Sequence, residues 1–390
     1  MHVQLFVPAL IDPDFSGDAP LSVKTPALDS LLGKGRRKRV RHPGTEAWLL
    51  RRFGVAGAPL VETAAAGTAD TLRTTLPVAP YALLGEGSDG TTGPHPARPG
   101  DAAWMCADPV HLRVDRDRLV LADATLLELG RDEADALCES LNRHFGDVMT
   151  LIPARPDRWY ARLKDLPDMS TTPLRLALGA ALEGCMPEGP DGGRWRAIIN
   201  EAQMLIHEHP VNLAREAAGK PAANGIWFWG AGRLQPVAAD TGAVDARRDA
   251  PLDALAADSP LARGLARSAG IAVRNLPDGA ERWLDAETNA GVALIVVDSL
   301  ERPAAHGDAH AWHAALAALE RHWFSPLLAA LRHGQIGMVT LLLGGHATLL
   351  HAETVRADLR YFWRRPKPLA AYLGASSPRM RGSDRSPVST

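Results

Sequence analysis

Residues 291–297, GVALIVV, form an uninterrupted apolar run that closes on Asp298, and no other stretch constrains the fold as tightly. A strand that is apolar at every position is buried on both faces, as in a parallel sheet covered by helices on both sides. A carboxylate at its carboxyl end stands where open α/β sheets place their ligands. Residues 2–10 suit a buried first strand followed by a Pro/Asp/Gly loop, and residues 337–343 suit another, followed by Gly344, Gly345 and His346. Thr25-Pro26 opens a helix that Gly33 or Gly35 closes. Residues 132–145 put Ala134, Leu137, Cys138, Leu141 and Phe145 on one helix side, and residues 309–332 read as a long amphipathic helix interrupted or bent near Pro326. The fold class is α/β. A chain of 390 residues exceeds what one hydrophobic core serves, so two domains or a core with a large insert are expected.

Composition removes several classes of function. With 46% hydrophobic and 23% charged residues the chain can bury a normal core. A net charge of −2 gives no general pull toward nucleic acid or membrane, and neither partner is expected. The six basic residues within 34–41 read as a solvated surface, with an anionic substrate or a partner's acidic face left open. Residues 1–10 lack the features of a signal peptide, and no apolar run reaches the length of a membrane span. Cys106, Cys138 and Cys185 are odd in number and widely spaced, which points to a reducing compartment rather than a disulfide framework. A soluble, cytoplasmic protein is expected.

The chemistry-bearing residues concentrate in residues 200–232, NEAQMLIHEHPVNLAREAAGKPAANGIWFWGAG. Trp195, Ile198, Ile199, Ala202, Leu205 and Ile206 form the apolar stripe of a helix, while Arg196, Asn200, Gln203 and His207 form a polar one suited to hydrogen bonding. Pro210 ends that helix, a second starts at Asn212 and stops at Gly219, and residues 226–229 form a buried strand ending in Gly230 and Gly232. This brings His209, Asn212, Arg215 and Asn224 within reach of one anion; on residue types alone the same side chains more often serve as helix caps and turns. Residues 230–235 lack the third glycine of a dinucleotide fingerprint. Thr45 sits where a loop gives way to a helix, a place suited to holding a phosphate or to simple capping. Residues 102–123 suggest two strands joined around 115–117. Residues 62–98 and 233–258 read as loops, residues 358–368 as an aromatic and basic segment packed at the core edge, and the tail from Ser376 as disordered.

Five stretches, in order, carry a resemblance: KTPALDSLLGKG at 24–35, HPGTEAWLLRRFGV at 42–55, PGDAAWMCADPVHLRVDRDRLVLAD at 99–123, HPVNLAREAAGKPAANGIWFWGAG at 209–232 and VVDSLERPAAHGD at 296–308. Together they resemble the metal-dependent, bisphosphoglycerate-independent phosphoglycerate mutases of the archaeal type, in the alkaline phosphatase superfamily. The bacterial branch related to the regulation-of-pathogenicity-factors E proteins is closer still. The resemblance covers most of residues 1–370. It implies an alkaline-phosphatase-like core sheet with helices on both faces and an inserted α+β cap domain: core at 1–105 and 225–370, cap at 106–224, tail at 371–390. It also makes Thr45 the counterpart of the serine that accepts the phosphoryl group.

The same resemblance implies two divalent cations held by Asp and His, and here the chain departs from it. The Asp-Gly after the first strand is Pro8-Ala9, the Asp-His after the last is Gly344-Gly345, and a further Asp and His fall on Glu301 and on Ala305 or His306. Hard cations cannot be held by proline, glycine and alanine. Asp298, Glu301, His306, Asp308 and His346 are the remaining candidates for a remodelled site. The expected function is a non-catalytic regulatory or ligand-sensing protein with no cofactor, its partner a phosphorylated small molecule or an unidentified protein. The alternative is an active phosphoglycerate mutase or phosphatase that uses Mn, Zn or Mg, with Thr45 as acceptor.

Overall fold

The computed structural model describes residues 1–11, 15, 23–42, 44–55, 74–86, 99–115, 118–122, 127–178, 180, 182–237, 251–286, 290–345 and 348–373. His346, the glycine-rich loop at 87–98 and the tail from Ser376 lie outside them. The chain runs through β1 (His2–Val7), α1 (Pro26–Lys34), β2 (Arg36–Arg41), α2 (Thr45–Arg52) and α3 (Val78–Glu86). It continues with β3 (Ala103–Asp115), β4 (Arg118–Ala122), α4 (Arg131–Phe145), β5 (Met149–Arg155), β6 (Arg158–Leu163), α5 (Leu174–Ala177), α6 (Gly192–His207), α7 (Pro210–Ala217) and β7 (Gly225–Arg233). It ends with β8 (Ala254–Ala257), α8 (Pro260–Ser268), β9 (Ala272–Arg274), α9 (Ala280–Ala286), β10 (Val292–Val296), α10 (Glu301–Ala305), α11 (Ala309–Leu319), α12 (Ser325–His333), β11 (Met338–Gly344) and β12 (Thr348–Val355).

The first sheet has the order β2-β12-β11-β1-β10-β8-β9. The apolar runs occupy its centre, where β1 pairs in parallel with β10 and β11, so Leu5 lies beside Ile295 and Leu341. Alternate residues serve alternate faces. Val3, Leu5, Ile295 and Leu341 pack with Leu28 of α1 and Trp312 of α11, while Phe6, Leu294 and Leu342 pack with Leu49 of α2, Tyr81 of α3 and Leu265 of α8. That two-sided burial makes the fold α/β. The β12 and β2 strands add antiparallel to one side.

The second sheet has the order β4-β3-β6-β5, with β7 on the other side of β3. Leu137 of α4 and Trp195 and Ile199 of α6 cover one face, against Met105, Trp159 and Phe228. Four readings change. The strand expected at 226–229 runs through Gly230 and Gly232 to Arg233 and pairs with β3, not with the first sheet. Within the expected loops lie α3 and the alanine-rich β8, neither of which has a periodic apolar signal. The second helix of the 200–232 stretch begins at Pro210, because proline is preset for the first helical position and His209 supplies the cap, its Nδ1 accepting from the Val211 N–H at 3.2 Å. Phe362 and Trp363 stand 82% and 63% exposed instead of packing at the core edge.

The expected bend near Pro326 takes the form of a wide π turn at Glu320–Phe324 between α11 and α12. It aims the buried Glu320 carboxylate at the start of α1, where it accepts from the N–H groups of Ala27 and Leu28 at 2.6 and 3.2 Å. Two donors left unpaired by the helix geometry are thereby satisfied.

Bare backbone joins the two sheets. A Cβ on Gly264 of α8 would run into the Tyr81 carbonyl of α3, and one on Gly85 of α3 into the Pro260 carbonyl. At the start of α3, a Cβ on Gly230 would come 2.9 Å from the Val78 Cβ, and one on Gly232 would run into Pro77. Gly264→Ala should therefore lower stability by ~2 kcal/mol or more despite alanine's better helix propensity. Gly184→Ala, which meets nothing within 4 Å, should stay within ~0.5 kcal/mol of the parent in urea melts.

Asp108 of β3 is 7% exposed and accepts from the Trp229 indole N–H at 2.7 Å. Burial outweighs that hydrogen bond and raises its carboxyl from 3.8 to about 7. The folded state thus favours the protonated acid, so its contribution to stability is full at low pH and falls as pH climbs from about 4 to 7. Asp108→Asn keeps an acceptor for the indole and should flatten the urea midpoint across that window by the equivalent of roughly 2–4 kcal/mol.

Candidate active site at the strand ends

The carboxyl ends of β1, β10 and β11 point the same way, and α2 and α10 begin beside them. Thr45 is the first residue of α2, entered through Gly44 at φ +99°, and Glu301 is the first of α10. The Thr45 hydroxyl donates to Glu301 Oε1 at 2.8 Å. Arg175, on the short α5 that follows the second sheet's β6, reaches across to the same place. Its Nε and Nη2 donate to the two oxygens of Glu46 at 2.7 and 2.6 Å, and its Nε lies 3.8 Å from Glu301 Oε1. A Cβ on Gly44 would stand 3.2 Å from Arg175 Nη2, so the glycine leaves room for the guanidinium. The pairing is a planar two-point fork, the geometry arginine offers and lysine does not.

The charges around this fork are unequal. Burial works against the Glu46 carboxylate, but Arg175 outweighs it and holds that pKa below the usual range. Glu301 has only the longer contact to Arg175, and burial raises its carboxyl to about 7. Burial also raises Asp298, on the turn before α10. His42, 5% exposed, is held neutral by burial and by the Arg175 charge, which lower it to about 4, and its Nδ1 has no hydrogen-bond partner among the described residues. The arrangement has a hydroxyl bonded to a readily protonated carboxyl, a fixed guanidinium and a neutral imidazole nearby.

The strand ends themselves are closed by backbone. The N–H groups of Leu10 and Ile11 donate to the Gly344 carbonyl at 2.9 and 3.0 Å, and a Cβ on Gly344 would stand 3.2 Å from Pro8 Cα. Ala9 adopts φ +57°, a conformation that suits glycine. Of the candidate ligands, Asp298 and Glu301 share this region. Asp308 caps α11, accepting from the Ala311 N–H at 2.9 Å, and His306 is exposed at the end of α10. Among the described residues no group of three or more His, Cys, Asp or Glu could hold a metal ion.

The residues expected to converge on an anion are engaged elsewhere. Asn212 donates to the carbonyls of Ile206 and Ala223 and accepts from the Ala223 N–H. Asn224 donates to and accepts from the Leu112 backbone. Arg215, 2% exposed, binds the Pro221 carbonyl at 2.9 Å, Glu133 at 2.7 Å and the Leu127 carbonyl. His209 caps α7 and contacts Ser140 Oγ at 3.0 Å. These bonds tie α7 to α4 and β3. A side chain that satisfies backbone carbonyls has the same donors as one that grips a phosphate, so the sequence could not separate the two roles. It also left Arg175, Glu46 and His42 unmarked. Glu46 and His42 fall inside a stretch carrying the family resemblance, while Arg175 has no local signal because its partner Glu46 is 129 residues away. Arg215→Ala should lower stability by ~2–4 kcal/mol, since it orphans buried carbonyls and Glu133. Urea melts with and without phosphoglycerate should show the same loss.

No family model matches the chain. Over 273 residues, 65% of its length, it is 26% identical to the 2,3-bisphosphoglycerate-independent phosphoglycerate mutase of Methanosarcina barkeri, covering 64% of that protein. It is 27% identical over 219 residues to the enzyme of that name from Methanosarcina acetivorans, covering 52% of this chain and 50% of that protein. To the one from Methanothrix thermoacetophila it is 29% identical over 214 residues, covering 50% of this chain and 52% of that protein. The chain thus spans from half to less than two thirds of the length of these relatives. Among solved structures, the PH0037 protein from Pyrococcus horikoshii shares the fold, with a TM-score of 0.51 at 12% identity over 91% of this chain and 87% of that one. The chain is a homologue, at modest identity, of the archaeal-type 2,3-bisphosphoglycerate-independent phosphoglycerate mutases.

Proposed function

We propose that this chain is a phosphoglycerate-mutase-like protein that recognises a phosphorylated small molecule without turning it over, and serves as a regulatory or ligand-sensing protein in the cytoplasm. The observation that carries this reading is the place of Arg175. Its guanidinium neutralises Glu46 and stands 3.8 Å from Glu301, which accepts from the Thr45 hydroxyl, so a protein cation already occupies the place among the carboxylates nearest that hydroxyl.

A pair of divalent cations does not fit this donor set. Each hard cation needs several oxygen or imidazole ligands, and the strand-end positions of Pro8 and Gly344 supply none. What the residues present can do is bind: the Arg175 guanidinium has N–H groups beyond the two that hold Glu46, and the buried His42 Nδ1 has no hydrogen-bond partner among the described residues. The cytoplasmic setting is consistent with Cys106, Cys138 and Cys185 being free and buried, and no described helix is long and apolar enough to cross a membrane. The chain divides into a core and an inserted cap, and the pairing of β3 with β7 moves the cap's bounds from 106–224 out to 103–233.

One contact favours the alternative of an active metal-dependent mutase or phosphatase with Thr45 as acceptor. The Thr45 hydroxyl donates to a carboxyl raised to about 7, the protonation range of a general base near neutral pH. Metal analysis of purified protein with a coupled mutase assay decides between the readings. The expected result is no stoichiometric Mn, Zn or Mg and no turnover that Thr45→Ala removes. Stoichiometric metal with Thr45-dependent turnover would establish the enzyme.

A further inference from the structure

We propose that the face of the first sheet beneath α2 holds a second binding site, for a small organic anion bearing a carboxylate or phosphate. The strand register assembles it. On this face Phe6, Leu342, His351 and Lys38 follow one another across β1, β11, β12 and β2, and Gln4 and Thr340 lie together in the next row. The central strands of a sheet covered on both faces are otherwise apolar, yet Gln4, Thr340 and His351 are only 2%, 3% and 7% exposed. Buried polar residues at core positions ask for a partner or a function.

Between them and α2 is a cleft of about 150 Å³, partly open to solvent. At ~30 Å³ per water it holds roughly five water-sized groups. Lys38 and Arg52 line it with His351, Gln4 and Thr340, and Trp48 and Leu342 supply apolar wall. No Asp or Glu lines it. Glu353 continues the Gln4–Thr340 row on the same face and lies 3.6 Å from His351 Nε2. Arg52 Nη2 lies 3.5 Å from Gln4 Oε1, and His2 Nε2 is 2.8 Å from Thr340 Oγ1. Two permanent cations, neutral hydrogen-bonding groups and an indole wall suit an anion with a short carbon skeleton.

This pocket is separate from the strand-end fork, and α2 connects the two: Thr45 is its first residue, Trp48 lines the pocket one turn on and Arg52 is its last. The Trp48 ring stacks on Phe6 at 4.2 Å, and Phe6 meets His42 edge-on at 6.2 Å.

The test is calorimetric titration and thermal melting of the full chain with inorganic phosphate and, separately, malonate, at constant ionic strength against chloride. Saturable binding is expected for at least one, with a melting point a few degrees higher at a hundredfold Kd. Lys38→Gln and Arg52→Gln should each raise Kd at least tenfold, Arg52→Lys should restore much of the affinity, and Arg282→Gln, on the exposed side of α9, should leave Kd unchanged. Ligand-dependent quenching of tryptophan fluorescence should be lost in Trp48→Phe. Chloride-like responses to both anions, binding unaltered by Lys38→Gln and Arg52→Gln, or binding lost only in Arg175→Gln would overturn the proposal.

Discussion

The structure depends on the close approach of α3 to its two neighbours, made with glycine at both contacts. Gly85 and Gly264 let α3 and α8 meet backbone to backbone, and Gly230 and Gly232 let β7 lie against Pro77 and Val78. Because α8 packs on the first sheet and β7 belongs to the second, this wedge fixes how the two sheets stand. Side chains in the gap would hold them apart. At the present spacing, Arg175 from the second sheet's segment meets Glu46 and Glu301 at the ends of the first sheet's strands. A packing decision made by four hydrogen-only side chains thus sets the electrostatics of a site that none of them touches.

On the proposed reading, that electrostatic choice separates this chain from what its resemblance implies. A guanidinium neutralises carboxylates and donates hydrogen bonds along fixed directions, but it has no open coordination position and cannot activate a bound oxygen as a Lewis acid does. At Pro8 and Gly344, where the resemblance implies metal ligands, the strand ends are held by backbone, the carbonyl of Gly344 accepting from the N–H groups of Leu10 and Ile11. Ala9, held at φ +57°, keeps a glycine-like backbone where the resemblance expects glycine.

What the sequence made legible follows from where each signal originates. β1, β10 and β11 were readable because burial on both faces writes itself as a continuous apolar run, and α4 because one buried face writes a 3.6-residue period. Thr45 was readable because a glycine followed by a hydroxyl residue marks a helix start. The roles of Asn212 and Arg215 were not, because their partners are backbone carbonyls with no residue identity to pattern against. Arg175 and the row of His351 and Lys38 were invisible for a related reason: both are set by strand register and sheet docking over long separations. Phe362 and Trp363 were misplaced because an aromatic residue looks the same in sequence whether it is covered or bare.

The two borders of the first sheet are finished differently. β2 presents Arg36, Arg37, Lys38, Arg39 and Arg41 along one border, while β9 at the other is three residues long. Like charge on an approaching copy repels it at the first, and the second offers too few free amides to template a neighbour. Growth of this sheet by strand addition, the usual route from a stable monomer to fibrils, is therefore discouraged at both ends.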